Sequence, residues 1–154
     1  MSPNDAAAEA AVAPEDFKSL TTDVSTLLVR EGEDPWTLAE LQEIADVLIA
    51  ENQRLRDEVA AADQGLSDLL RNSGDGAGDD QADYGSSALE REHELSMVNN
   101  TRDLLVQNSH ALDRIRLGTY GSCELCGEAI GKARLQAFPR ATLCVTCKQR
   151  EERR

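Results

Sequence analysis

"LAELQEIADVLIAENQRLRDEVAAADQGLSDLL" (Leu38 to Leu70) returns an apolar residue alternately every three and four positions for more than four heptads. With Leu38 at position a, the a series is Leu38, Ala45, Asn52, Val59 and Leu66, and the d series is Leu41, Leu48, Leu55, Ala62 and Leu69. Nine of these ten seam positions are apolar, so one stripe of a long helix must be covered by a partner helix. Asn52 is the polar exception; a single polar a residue sets register at some cost in stability. Thr37 and Glu40 stand at capping-box spacing just before the run and predict its start. Ile44, Val47 and Ile49 lie outside the seam and widen the apolar face near that start.

A second helix is expected downstream, opened by Ser87 with Glu90 and running to about Leu117. Val98, Leu105 and Leu112 recur every seven residues, with Thr101, Asn108 and Ile115 between them and Leu95 and Leu104 alongside. The two runs are separated by a loop over 71–86 that contains "GDGAGDDQADYG" (Gly74 to Gly85), with four aspartates and four glycines. Two helices of similar length joined in this way fold most simply as an antiparallel hairpin spanning 36–117. A dimeric coiled coil is the alternative, since heptads alone do not fix strand number.

Before the hairpin, residues 1–13 are alanine-rich and acidic and read as a disordered tail. Pro14, Glu15 and Asp16 suit a helix start, and Phe17, Leu20, Val24 and Leu27 follow at helical spacing up to Gly32. Residues 14–35 are therefore expected to form a short amphipathic helix and a connector, able to cover the widened face of the first long helix.

After the hairpin, residues 118–154 carry Cys123, Cys126, Cys144 and Cys147 as C-x2-C-x17-C-x2-C. Each tight pair aims two thiolates at one point, and two pairs complete the tetrahedron that Zn2+ accepts. Four protein ligands leave no open position, so one structural zinc is expected, followed by a short C-terminal helix. The fold class is mainly α: an antiparallel coiled-coil hairpin with a C-terminal four-cysteine zinc finger.

Charge narrows the function classes. The chain carries a net charge of -13, of which residues 1–35 and 36–70 contribute -6 each, whereas residues 118–154 are +3. So acidic a body disfavours wrapping of nucleic acid. The first thirty residues lack the features of a secretory signal, and no apolar run is long enough to cross a membrane, which points to the cytoplasm, where paired cysteines bind metal. No catalytic constellation is visible: His93 and His110 are isolated and the serines lack a base, so an enzyme is not expected.

A hairpin with acids at its turn, followed by a four-cysteine zinc site and a short helix, resembles the DksA/TraR family of RNA-polymerase-binding transcription factors. The likeness is dense in "LGTYGSCELCGEAIGKARLQAFPRATLCVTCKQREE", and Glu90, Arg91, Glu92, Glu94 and Leu95 resemble the actinobacterial members. The family's tip motif, D-x-x-D-x-A, falls on Asp80, Asp83 and Gly85 when counted back from Cys123, with Gly85 in place of alanine. This resemblance implies binding to RNA polymerase, with the hairpin inserted into the secondary channel and Asp80 and Asp83 acting at its end on promoter complexes. It also places three basic ppGpp-binding positions on Gln107, Phe138 and Lys148; only Lys148 can pair with phosphate, so little or no ppGpp synergy is expected. No direct sequence-specific DNA binding is expected, although the cysteine spacing also fits a GATA-type finger. A structural adaptor, in which the hairpin only oligomerises, is the third reading.

Overall fold

The computed structural model describes residues 20, 22–74 and 81–154, without the side chains of 72–74, 81–84, 86 and 87. The tail 1–13, the helix start at Pro14 to Phe17 and Asp80 all lie outside the described residues. The rest contains a 3-10 turn at Val24–Thr26 and four helices: α1 (Leu38–Gly74), α2 (Gln81–Leu117), α3 (Lys132–Ala137) and α4 (Val145–Glu152). The chain divides into two compact units, one of residues up to Glu51 together with Val106–Arg154, the other of Asn52–Leu105. The long helices run antiparallel as a helical hairpin.

In the first unit, Leu41, Ile44, Ala45 and Leu48 of α1 share one core with Ala111, Leu112 and Ile115 of α2. Tyr120, Ile130 and Leu135 enter the same core from the segment that follows. Burying each large aliphatic side chain contributes about 1.5–3 kcal/mol, so this cluster holds the cysteine segment to the hairpin base. The seam frays at the start of α1, where Leu38, the first a position, is 44% exposed. Val47 also faces solvent, whereas Ile44 and Ile49 meet the core.

The start of α1 follows the capping signal in part. The Glu40 N–H donates to Thr37 Oγ1 at 3.1 Å. The Glu40 carboxylate is committed elsewhere, with Lys132 Nζ 2.6 Å from its Oε2. Lys132 also donates to the carbonyls of Asp34 and Pro35 and lies 5.4 Å from the centre of the Trp36 ring.

Two expectations are corrected. Within 22–35 there is no α-helix, only the turn at Val24–Thr26 in an otherwise irregular strap. Asp23 accepts hydrogen bonds from both the N–H and the hydroxyl of Ser25, and Thr22 donates to the Ile115 carbonyl, so local polar side chains and β-branched residues divert the backbone. Leu20 and Leu27 still reach the core, but from the strap rather than from one helical face. The second correction concerns α2, which begins at Gln81 rather than near Ser87. A glycine inside a helix costs only about 1 kcal/mol relative to alanine, too little for Gly85 to stop a helix whose seam is packed downstream.

The second unit continues the pairing with less burial. Asn52, Leu55, Val98 and Leu105 are buried, while Val59, Ala62, Leu66 and Leu69 are half-buried along the a/d stripe. Arg102 reaches Asp63 across the hairpin at 3.3 Å, an exposed pair of small energetic weight.

Candidate metal centre

Beyond α2 the chain makes a short antiparallel bridge between Ser122 and Ala129, which brackets the first cysteine pair. The Cys123 N–H donates to the Glu128 carbonyl at 2.7 Å and the Gly127 N–H to the Cys123 carbonyl at 2.9 Å. Gly127 has φ +77°, a left-handed conformation that a β-carbon would strain, so the glycine after the pair is what closes this knuckle. The second knuckle uses a helix start: Cys144 caps α4, and its Sγ accepts the Cys147 N–H at 3.5 Å. The Glu124 N–H donates to the Thr142 carbonyl at 2.9 Å and joins the two halves.

All four Sγ atoms lie within 4.8 Å of one another, and the cysteines form no disulfide. Cys126 Sγ is 3.7 Å from Cys144 Sγ. A tetrahedral zinc with bonds of about 2.3 Å requires sulfur edges of about 3.8 Å, so the donor set fits the ion in both type and spacing. The thiols themselves point the same way. Burial pushes the Cys123 thiol up, but N–H groups of Cys126, Cys144 and Leu125 outweigh it and bring the thiol down to about 6. Cys147 is pushed up to about 12, first by its hydrogen bond with Cys144 and then by burial. Crowded sulfurs cannot all ionise unless a cation sits among them, and Zn2+ resolves that conflict. With four thiolates filling the coordination sphere, the zinc is structural.

Around this centre stand residues that carry no spacing signal in the sequence. Arg114, only 7% exposed, donates to the carbonyls of Thr119 and Ser122 and to Ser122 Oγ, and lies 3.8 Å from Glu124. His110 Nε2 is 2.5 Å from Glu124 Oε1, so the histidine read as isolated is paired with the residue next to a zinc ligand. Tyr120 is buried and donates its hydroxyl to the Pro139 carbonyl at 2.9 Å. Replacing Arg114 with methionine is expected to cost about 2–3 kcal/mol in chemical denaturation, because part-buried acceptors lose a charged donor. Arg114→Lys should recover only part of this, since one ammonium cannot reproduce the guanidinium fork.

The strap closes over the same segment. Trp36 Nε1 donates to the Leu28 carbonyl at 3.3 Å, and its ring is tilted against Tyr120 with centroids 6.0 Å apart. Although desolvation pushes the Glu33 carboxyl up, hydrogen bonds from the backbone of Arg30, Lys132 and Ala133 outweigh it and hold it below its ordinary value. Gly131 has φ +110°, a conformation that a β-carbon would strain, and an added β-carbon would come within 2.8 Å of Arg30 Cδ and displace that side chain of the strap.

The sequence-derived partner positions fare differently. Asp83 falls within α2, with its side chain outside the described residues, and Gly85 is exposed in the same helix. Gln107, Phe138 and Lys148 come together around one groove of about 800 Å³, which also takes in Arg134 and Arg140. Arg140 is engaged by Glu51 at 2.8 Å and by the buried Asn108 at 3.4 Å, and Lys148 lies 3.5 Å from Glu151. No helix among the described residues is long and apolar enough to cross a membrane.

Residues 118–153 match the model of the prokaryotic dksA/traR C4-type zinc finger. The chain is 45% identical over 75 residues to the RNA polymerase-binding transcription factor DksA of Caulobacter vibrioides, covering 49% of this chain and 53% of that protein. The Haemophilus influenzae protein of the same name is 36% identical over 69 residues, covering 45% of this chain and 48% of the relative. The chain thus spans about half the length of the curated relatives it matches. The solved structure of transcription factor DksA2 from Pseudomonas aeruginosa aligns with a TM-score of 0.62 at 32% identity, over 75% of this chain and 84% of that one. Since that likeness takes in far more of the chain than the zinc finger, the protein belongs to the DksA/TraR family.

Proposed function

We propose that this chain is a cytoplasmic transcription regulator that binds RNA polymerase. The observation that carries the reading is the 32% identity to DksA2 over 84% of that structure, because it spans the hairpin as well as the zinc finger. In this proposal the hairpin enters the secondary channel, and Asp80 and Asp83 act at its end on the cations that handle nucleoside triphosphates. The protein shifts the stability of promoter complexes and performs no chemistry of its own.

ppGpp contributes little in this reading. Gln107 and Phe138 offer no charge to a polyanion, and Arg140 in the same groove is already paired with Glu51. Losing charge-assisted phosphate contacts weakens such a site. The test is co-purification of the full chain with core RNA polymerase, followed by initiation assays on a stable-RNA promoter with and without ppGpp. Retention on the polymerase and a changed initiation rate, with no more than about a twofold further change from ppGpp, is the expected result. A chain that neither binds the polymerase nor alters initiation refutes it, and a gel shift of promoter DNA by the chain alone would favour the DNA-binding alternative.

A further inference from the structure

In the second unit, an apolar groove of about 610 Å³ opens between the two helices. Val59 and Ala62 of α1 and Val98 of α2 line it, and Glu58, Glu90 and Glu94 bring three carboxylates to it, of which Glu58 is paired with Arg54 at 3.2 Å. It spans residues 58–69 on one helix and 90–101 on the other, which at 1.5 Å per residue is about 17 Å, or three helical turns.

Gly65 lies in this groove, inside α1. A glycine there costs about 1 kcal/mol relative to alanine, and a β-carbon added to it would meet nothing within 4 Å. The fold of the chain itself thus gives no reason for the missing side chain; an object lying in the groove does. Met97, 54% exposed, adds a polarisable apolar group that adapts to a partner's shape.

We infer that this groove seats a three-turn amphipathic helix of a partner protein, aliphatic on the face turned inward and flanked by lysine or arginine. Charge selects this occupant. Residues 52–105 hold five arginines and no lysine against twelve acidic residues, a net charge of -7. A second copy of the same unit would bring the same charge and be repelled, whereas basic flanks are drawn in. Small residues at the contact let two helices approach to about 8 Å, and aliphatic anchors at i, i+3, i+4 and i+7 meet the floor. The inference stands apart from the polymerase reading, because it concerns what the groove accepts rather than which protein supplies it.

The test titrates the isotope-labelled full chain with a synthetic peptide of about three to four turns that has leucine at the anchor positions and lysine elsewhere. Two control peptides replace leucine with alanine or lysine with glutamate. NMR shift changes confined to 58–69 and 90–101 are expected, with at least about tenfold weaker binding for both controls. Gly65→Leu fills the groove without harming the helix, so it should retain its circular dichroism and bind at least about tenfold more weakly. Glu90→Gln with Glu94→Gln should weaken binding most at low salt. Equal binding of the alanine control, shifts elsewhere, or unchanged affinity in Gly65→Leu overturns the inference. So does sedimentation showing a dimer that Gly65→Leu abolishes, which would assign the groove to a second copy.

Discussion

Replacing Cys123 with serine, or removing zinc with a strong chelator, is expected to unfold the segment around the cysteines while most of the helix content survives. Cys123 and Cys147 are themselves members of the core that also holds Tyr120, Ile130 and Leu135, so the metal is tied to packing and not appended to it. Structural four-ligand zinc sites contribute on the order of 10 kcal/mol to folding, more than a short segment with one small core can lose. The readout is selective for two reasons. The only tryptophan, Trp36, is 2% exposed and tilted against Tyr120, so its emission should shift to the red as water enters. By contrast α1 and α2 contain 37 residues each, against 6 and 8 in α3 and α4, so far-UV circular dichroism should fall only modestly. Metal analysis should give one zinc per native chain and none in the variant. An unshifted Trp36 emission in a demonstrably zinc-free chain would show that the core holds this segment without the ion.

Changing Asp80 and Asp83 together to asparagine is expected to abolish the effect on initiation, by at least about tenfold, while polymerase binding changes by less than about twofold. Asparagine preserves size and removes the charge. In a narrow channel with little solvent, a carboxylate near a cation is worth far more than the same group in water, so the loss falls on the tip's action. The family resemblance assigns docking to the zinc end and hairpin base rather than to the tip, so binding should persist. Quantitative pull-down and single-round transcription with the same protein preparations separate the two quantities. A transcription effect that survives both substitutions would favour the adaptor reading, in which the turn only joins two helices.

Several features were legible in the residue pattern because they are set over short sequence distances. The a/d stripe from Ala45 to Leu69 is the less exposed face of α1, and Val98, Leu105, Leu112 and Ile115 answer it on α2. The two C-x2-C pairs and Gly127 specify knuckles whose geometry is complete within a few residues of each ligand. Where the pattern misled, a local signal met a stronger competitor. Ser87 and Glu90 read as a helix start, yet the helix ran on through Gly85; Leu20, Val24 and Leu27 read as one helical face, yet Asp23 and Thr22 found nearer hydrogen-bond partners.

Periodicity and ligand spacing thus specify the helical hairpin and the zinc finger, since a 3.5-residue repeat and a tetrahedral metal each impose geometry on the chain locally. What holds them together is written nowhere in a spacing. Arg114 reaches Ser122, Lys132 reaches Glu40, and the strap from Leu27 to Trp36 lies over Gly121 and Gly131, contacts that span up to about a hundred residues of chain. The groove beside Gly65 is likewise a property of two helices at once. Such contacts depend on which carbonyls, carboxylates and gaps the folded chain brings within reach, and that proximity exists only after the long-range core has formed.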